Sequence, residues 1–179
     1  PVEQEAQIRL MEKLHNHSGR PSVMVLRPAD AEETTAAWKM AMENIYTPTA
    51  LILSRQDVTS VPNTSAEGVK KGAYIVSKDE NPQVVMIASG SEVSTLMAGA
   101  ELLRAEGIRL QIVSVPSEAI FRQQSKEYQA EVLPQGVLRF GLTAGLPCNL
   151  EGLVGEHGTI WGFNSFGFSA PYKVLDEKL

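Results

Sequence analysis

The stretch that decides the fold is residues 23–56, which read VMVLRPADAEETTAAWKMAMENIYTPTALILSRQ. Val23–Leu26 and Ala50–Leu53 are continuous apolar runs, a pattern typical of strands buried on both faces of a parallel sheet. Between them, Asp30 followed by Glu33 predicts a capping box that begins a helix. A strand, a helix and a strand within about 30 residues predict a right-handed parallel crossover.

An arginine follows each of these predicted strands, Arg27 after the first and Arg55 after the second. Because the carboxyl ends of parallel strands meet at one rim of the sheet, where α/β proteins bind ligands, the two cations predict a site for an anionic small molecule. A guanidinium carries a planar fork of donors that suits phosphate. Spacing alone leaves a salt bridge and a ligand equally open for Arg55. Asp30 lies three residues after Arg27 and favours a structural ion pair there, so Arg55 is the predicted anion-binding residue.

A second α/β segment is predicted downstream. Residues 57–71 are polar, contain Pro62 and Gly68 and lack a period, so they predict a linker and a domain boundary near residue 65. Residues 72–76 enter the second segment, and further strands are predicted at 84–88, 108–115, 137–142 and 159–163. Ser89 with Glu92 predicts a second capping box at the start of the best-defined amphipathic helix, and Ser117 is predicted to cap a short helix.

Helices are also predicted near both ends of the sequence. Apolar residues at helical spacing, Ile8 and Met11 with Leu14 or Leu10, predict a helix over residues 3–15. Residues 171–179 predict a final helix that starts at a proline. The first residue is proline rather than methionine, and this predicts a chain cut from a longer one.

Composition narrows the class of protein. The 179 residues are 43% hydrophobic and 21% charged, which is ordinary for a globular domain. The net charge of −5 predicts no nucleic-acid partner, because that would need clustered basic residues. Apolar runs of about five to seven residues are far short of the ~20 that span a bilayer, so no membrane partner is predicted. The single cysteine, Cys148, excludes an intrachain disulfide and predicts a reducing compartment, the cytoplasm.

The remaining polar residues are better explained by structural roles than by catalysis or ligand binding. The turn Ser89–Glu92 lacks a nucleotide-binding fingerprint, and its residues favour plain capping. His15 and His17 lack the further ligands of a metal site, and His157 lacks a placed nucleophile. Three carboxylates are interpreted as surface charges, namely Glu118, Glu127 and Glu131. The residues alone therefore predict an α/β protein with an anion site at Arg55, and they predict no reaction.

Seven segments in a fixed order make the sequence resemble the C-terminal part of the transketolases. They are Pro1–Glu3, Arg27–Asp30, Ala50–Gln56, Lys71–Tyr74, Ile87–Val93, Val113–Ser117 and Phe166–Pro171. The resemblance covers essentially all 179 residues. It implies α/β/α three-layer units with mostly parallel sheets. Residues 1–65 would be the end of the pyrimidine-binding domain with a linker, an incomplete unit, and residues 66–179 the transketolase C-terminal domain.

The resemblance also implies an activity. Transketolases transfer a two-carbon ketol unit between sugar phosphates of the pentose phosphate pathway, with thiamine diphosphate and Mg²⁺ or Ca²⁺, as homodimers. The arginine of the family's Ser-Arg-Gln motif binds the substrate phosphate, a role that falls to Arg55. The family's other site residues lie upstream of the segment that Pro1 opens. No catalytic, cofactor-binding or metal-binding residue is therefore assigned, no cofactor is expected on this chain, and it is expected to be inactive alone.

Two segments depart from the family pattern, residues 16–22 and residues 144–158. Two other functions stay open beside that of a transketolase part. One is a stand-alone, non-catalytic module for assembly or regulation. The other is part of a related thiamine enzyme, such as a deoxyxylulose-phosphate synthase or a keto-acid dehydrogenase β subunit, although the Arg-Pro-Ala-Asp and Ser-Arg-Gln segments fit transketolase better.

Overall fold

The computed structural model describes residues 4–165, 169–171, 174, 175 and 177. Its helices and strands alternate along most of the chain. In order they are α1 (Gln4–Glu12), β1 (Met24–Leu26), α2 (Ala31–Glu43), β2 (Thr49–Leu51), α3 (Ala66–Lys71), β3 (Tyr74–Lys78), β4 (Val84–Ala88), α4 (Glu92–Ala105), β5 (Leu110–Ser114), α5 (Glu118–Arg122), α6 (Lys126–Val132), β6 (Leu138–Leu142), a 3₁₀ turn (Pro147–Asn149), α7 (Glu151–Val154) and β7 (Thr159–Trp161). None of the helices in these residues is long and apolar enough to cross a membrane.

The first unit is the predicted parallel crossover. Strands β1 and β2 pair in parallel with Leu26 opposite Leu51, and α2 connects them. Apolar residues of β1, α2 and α3 form its core, and Leu26, Ala37 and Val69 are fully buried. Because the two strands run side by side, their carboxyl ends reach the same rim, as the sequence predicted.

The second unit is a five-stranded sheet in the order β3-β5-β4-β6-β7. Only β3 runs antiparallel to its neighbour, and the other pairs are parallel. Met86 and Ala88 point to one face, where they pack with buried residues of α4. Val85 and Ile87 point to the other, where they pack with residues of α5, α6 and α7. Helices on both faces of a mostly parallel sheet confirm the predicted fold class.

The linker predicted at residues 57–71 is wrong in its second half. Residues 66–71 form α3, and the Ser65 side chain caps it by accepting a hydrogen bond from the Gly68 amide at 3.1 Å. A side chain on Gly68 would meet the Tyr74 ring at 2.5 Å, so close packing requires the glycine that had suggested a loop. The fully buried Val69 anchors the helix. The domain boundary near residue 65 stays a prediction.

Of the two predicted capping boxes, the one at α2 forms and the one at α4 does not. At α2, the Asp30 side chain accepts from the Glu33 amide at 3.0 Å, and the Glu33 carboxylate reaches back to the Ala29 amide at 2.8 Å. The box predicted at α4 is wrong, because the N-cap is Ser91, two residues after Ser89, and no side chain caps the helix. The Glu92 carboxylate instead accepts a hydrogen bond from the Arg27 guanidinium. Ser117 precedes α5 as predicted, but its hydroxyl does not cap the helix.

Helix α1 is present as predicted, but it ends at Glu12, before the predicted residue 15. Leu10 and Met11, with Leu14 just beyond the helix, are 60%, 51% and 63% exposed, whereas Arg9 and Glu12 are buried and Ile8 is half-buried. Specific polar contacts therefore decide the rotation of this helix. Of the predicted final helix, only residues 171, 174, 175 and 177 are among those described, and the others fall outside, as do residues 1–3 and 166–168.

Glu12 predicts a stability that depends on pH. Burial raises the pKa of its carboxyl to about 7, although the Val25 amide donates to it at 2.9 Å and Arg9 lies nearby. Since the raised pKa favours the protonated form in the fold, its stabilising effect is complete below pH ~4.5 and is lost as the pH rises through about 7. Glu12→Gln keeps an acceptor for Val25 without the charge, so we expect it to stabilise the chain by about 2 kcal/mol at pH 8 and by little at pH 4.5.

The measurement is urea unfolding of both proteins between pH 4.5 and pH 8. Glu156→Gln is the control, because this carboxylate is exposed on the second unit. Parallel stability curves for wild type and Glu12→Gln would show that Glu12 does not carry the effect.

Candidate functional site

The candidate site is the rim where β1 and β2 end. The Ile52 amide donates to the Leu26 carbonyl at 2.9 Å, which holds the two chain exits together. Arg27 follows β1 directly, and its amide donates to the Pro116 carbonyl of the second unit at 2.8 Å. Strand β2 ends at Leu51, earlier than predicted, so Arg55 lies in the exposed segment beyond it.

The Arg27 guanidinium makes several structural contacts. Its guanidinium donates to both carboxylate oxygens of Glu92 at 2.8 and 2.9 Å and lies 3.3 Å from the Glu5 carboxylate. It also donates to the Ser89 carbonyl. A side chain on Gly90 would lie 2.8 Å from the guanidinium carbon, so the turn before α4 is shaped around this arginine. Glu92 in turn accepts from the Ala144 amide at 2.7 Å.

The predicted partner of Arg27 was wrong. The Asp30 carboxylate, which is 2% exposed, accepts instead from the Glu33 amide, the Val61 amide at 2.9 Å and the Thr64 hydroxyl at 2.9 Å. These three donors satisfy it at the start of α2. Arg27 has the structural role that the sequence predicted, but it joins β1 to the second unit rather than to its own helix.

The bidentate Arg27–Glu92 pair predicts a measurable coupling energy. Because both side chains are nearly buried, we expect a double-mutant cycle of Arg27→Met and Glu92→Gln to give about 1–3 kcal/mol in unfolding experiments. The exposed Lys39–Glu43 pair, 3.9 Å apart, is the control and should give at most about 0.5 kcal/mol. A coupling energy for the Arg27 pair no larger than that of the control would contradict its structural role.

Arg55 differs from the other arginines of the chain. It is exposed, and within the described residues its side chain has no hydrogen bond, ion pair or ring contact. The others each contact a carboxylate, a carbonyl or a ring, namely Arg9, Arg20, Arg27, Arg104, Arg109, Arg122 and Arg139. A guanidinium without a protein partner at a sheet rim has all its donors available to an incoming anion.

The other side chains considered in the sequence do not assemble into a site. His15, His17 and His157 are exposed, and no group of three or more histidine, cysteine, aspartate or glutamate side chains in the described part of the chain could hold a metal ion. Cys148 is exposed. Glu118 pairs with Arg122 at 3.0 Å. These side chains therefore do not form a metal site within the described residues.

Sequence reasoning missed a buried polar cluster around Glu33. Its carboxylate has no exposed surface and accepts from the Tyr74 hydroxyl at 2.7 Å and the Ser114 hydroxyl at 2.6 Å, as well as from Ala29. Burial raises the pKa of Glu33, and the three hydrogen bonds oppose that rise. Burial and the adjacent Glu33 also raise the pKa of Tyr74. The cluster ties α2 of the first unit to β3 and β5 of the second.

The fold and the rim define an α/β protein in which an exposed arginine, Arg55, follows the end of β2. A family model described as the Transketolase-like TK C-terminal domain matches residues 72–179. The chain therefore belongs to the transketolase family. It is 43% identical to a transketolase from Geobacillus stearothermophilus over 184 aligned positions, which cover 99% of this chain and 26% of that protein.

Solved structures agree with this assignment. A transketolase from Leishmania mexicana matches 99% of this chain with a TM-score of 0.87 and 38% identity. A Pichia stipitis transketolase in complex with sedoheptulose 7-phosphate matches 98% with a TM-score of 0.84 and 31% identity. Each match covers 25% of those chains, so this chain spans about a quarter of such relatives. A split-gene transketolase, described as an inactive β4 tetramer, matches 95% of this chain and 55% of its own, with a TM-score of 0.69 and 25% identity.

Proposed function

We propose that this chain is the part of a transketolase that binds the phosphate of the sugar substrate, through Arg55, during transfer of a two-carbon ketol unit. The observation that carries the proposal is the exposed guanidinium of Arg55 at the rim, with no protein partner among the described residues. The Pichia stipitis relative, solved with a sugar phosphate, supports the substrate class. A planar fork of donors binds phosphate in two parallel hydrogen bonds, which fixes both the position and the orientation of the substrate.

The residues of this chain would act by binding and orienting the sugar phosphate. Arg55 would hold the phosphate end of the sugar, so that the carbonyl end lies at a fixed distance from the rim. Arg27 and its contacts with Glu92 and Glu5 hold the rim against the second unit. Thiamine diphosphate with Mg²⁺ or Ca²⁺ supplies the carbanion chemistry when it is bound in the whole enzyme.

The proposal extends to the whole enzyme. We place it in the pentose phosphate pathway of the cytoplasm, as a homodimer. Residues 1–65 would close the pyrimidine-binding domain, and residues 66–179 would form the C-terminal domain. The family model, which begins at residue 72, supports this division.

The test is a chimera in which this chain replaces the matching quarter of the Geobacillus stearothermophilus transketolase. We expect the chimera to transfer ketol units between sugar phosphates and the 179-residue chain alone to transfer none. A folded chimera without activity would contradict the proposal, and so would activity of the chain alone.

A second function is favoured by one relative, the split-gene transketolase that forms an inactive tetramer. By that analogy the chain would serve assembly without catalysis. This alternative predicts that the chain alone forms a defined oligomer and that the chimera lacks ketol transfer. Size-exclusion chromatography with light scattering, beside the activity assay, separates the two functions.

A further inference from the structure

A cavity of about 430 Å³ lies between the segment before β1 and the second unit, and most of the side chains that line it are polar or charged. Helix α1 and Pro21 form one wall, and α5 and the 3₁₀ turn form the other. Ligand pockets in proteins have volumes of about 300–1,000 Å³ and a few polar groups that orient the ligand. The cavity lies apart from the rim, since neither Arg27 nor Arg55 lines it.

The first notable group in this cavity is Glu12, a buried carboxylate without a cation. It is 8% exposed, and within the described residues it accepts one hydrogen bond, from the Val25 amide at 2.9 Å, and makes no ion pair. Arg9 lies nearby but pairs with Glu5 at 2.8 Å. Buried carboxylates are ordinarily paired, because burying an unpaired charge is costly. Glu12 therefore lacks a positively charged donor.

The second notable group is the side-chain amide of Asn149, in the 3₁₀ turn. Asn149 is 4% exposed and lines the cavity, and its buried Nδ2 has no acceptor among the described residues. Buried donors without an acceptor are rare in folded proteins, and each needs an explanation. Since a half-turn about χ2 exchanges the two ends of the amide, its donor end can be turned into the cavity. Asn149 therefore lacks an acceptor beside the carboxylate that lacks a cation.

We propose that this cavity binds an amino acid, whose ammonium group pairs with Glu12 and whose carboxylate accepts a hydrogen bond from Asn149. Lys13 lines the same cavity, is exposed and makes no ion pair within the described residues, so it can also face the ligand carboxylate. An anion would leave Glu12 without a cation, and a simple amine would leave Asn149 without an acceptor. A zwitterion satisfies both groups with charge-assisted hydrogen bonds. The inference does not rest on the proposed function.

The stability of the chain without ligand supports this inference. Burial raises the pKa of Glu12 to about 7, so at pH 8 the charged carboxylate lowers the stability of the fold. Glutamine at this position would keep the contact with Val25 and avoid that loss. Residues that are unfavourable for folding are typical of functional sites, where a ligand supplies the missing contacts. A bound ammonium group would do so for Glu12.

The experiment measures ligand binding to the 179-residue chain at pH 8, with the standard amino acids as probes. We expect at least one of them, at about ten times its Kd, to raise Tm by about 3–6 °C. The amine and the acid that each lack one charged group of that amino acid should bind at least about tenfold more weakly in isothermal titration. The absence of a shift with every amino acid would overturn the proposal, and so would equal binding by the amine or the acid.

Two variants and a control separate binding from folding. Glu12→Gln is expected to be the more stable protein at pH 8, yet it should bind the amino acid at least about tenfold more weakly. Asn149→Ala should weaken binding by a similar factor. Glu156→Gln removes an exposed carboxylate outside this cavity and should leave Kd within about twofold. If Glu12→Gln binds as well as wild type, or if the control weakens binding equally, the proposal is wrong.

Proton release identifies the group that meets the ammonium. At pH 7 about half of the Glu12 carboxyls are protonated, so binding to wild type should release about half a proton more than binding to Glu12→Gln. Arg9 and Glu118 act on the Glu12 charge, and His15 lines the same cavity. The other charged side chains that line this cavity and the adjoining one of about 280 Å³ are Lys13, Arg20, Arg122 and Glu151.

Because histidines change charge in the same pH range, the readout is the difference between the two proteins and not the release itself. Titration in two buffers of different ionisation enthalpy measures it. Equal proton release from wild type and Glu12→Gln would overturn the pairing of the ammonium with Glu12.

The same titration in the chimera separates this inference from the proposed function. We expect Kd in the chimera to agree with that of the isolated chain within about threefold. Loss of binding in a folded chimera would show that the rest of the enzyme fills the cavity, and it would overturn the proposal. Ketol transfer without amino-acid binding would contradict this inference alone, whereas binding without ketol transfer would contradict the proposed function alone.

Discussion

Replacing Arg55 by alanine in the chimeric transketolase is expected to raise KM for phosphorylated substrates by about 10- to 100-fold. A hydrogen-bonded charge pair of this kind contributes about 1.5–3 kcal/mol, and every 1.4 kcal/mol is a factor of ten. The phosphate is remote from the reacting carbons, so its binding is shared by ground state and transition state. We therefore expect kcat to change less than KM. Steady-state kinetics with a sugar phosphate as the varied substrate measures the effect.

Two controls make this result specific for phosphate. With a non-phosphorylated acceptor, Arg55→Ala should leave kcat/KM within about twofold of the unmodified chimera. Arg109→Ala removes another exposed arginine, one that donates to the Asn81 carbonyl beside β5, and should not change KM for either substrate. Equal loss toward phosphorylated and non-phosphorylated acceptors would contradict a phosphate-binding role for Arg55.

Replacing Glu33 by alanine is expected to destabilise the chain by about 3–5 kcal/mol, the largest effect expected of any single substitution considered for this chain. The change removes the shared acceptor of Tyr74, Ser114 and the Ala29 amide, and it leaves these three donors unsatisfied around a cavity. Urea unfolding measures the loss as a lower midpoint at constant slope. Since the cluster joins the two units, a separate transition for one of them would also be consistent with its role.

Glu32→Ala is the matched control for this experiment. Glu32 occupies the same first turn of α2 but is exposed, so its removal should cost less than about 1 kcal/mol. Tyr74→Phe takes away one of the three donors and should cause an intermediate loss, about 1.5–3 kcal/mol. A stability of Glu33→Ala equal to that of Glu32→Ala would show that the buried cluster is not a principal contact between the units.

The sequence predicted those features that depend on short-range patterns. Two apolar runs with a capped helix between them are enough to predict the crossover of β1, α2 and β2. The predicted burial of the second run on both faces is wrong, because all three residues of β2 are only half-buried. Apolar runs also predicted the strands β4, β5 and β6, and an amphipathic pattern predicted the helix α4. Arg55 lies beyond the end of β2, as its position after the second apolar run predicted, and its phosphate-binding role stays a prediction.

Features that depend on distant partners could not be predicted in this way. Arg27 was assigned to the nearby Asp30, but its bidentate partner, Glu92, lies 65 positions along the chain. Glu33 was interpreted as a capping residue, which it is, while its buried hydroxyl partners lie 41 and 81 positions away. In each case tertiary contacts added a role that local spacing does not encode.

Two helices, α3 and α1, pack in a way that their local sequence pattern does not predict. Gly68 suggested a loop, but it is the residue that lets α3 approach the Tyr74 ring. In α1 the periodic apolar residues gave the correct element and the opposite of the ordinary orientation, because the contacts of Glu5, Arg9 and Glu12 determine which side faces inward. The spacing of apolar residues predicts that a helix has an apolar side, but the neighbouring elements determine which side is buried.

The most direct test of the phosphate-binding role is a crystal structure of the chimera with a sugar phosphate bound. The expected result is an Arg55 guanidinium that donates to phosphate oxygens at about 2.7–2.9 Å, beside an Arg27 that keeps its contacts with Glu92. A phosphate held by other residues, with the Arg55 guanidinium more than about 6 Å away, would contradict the account.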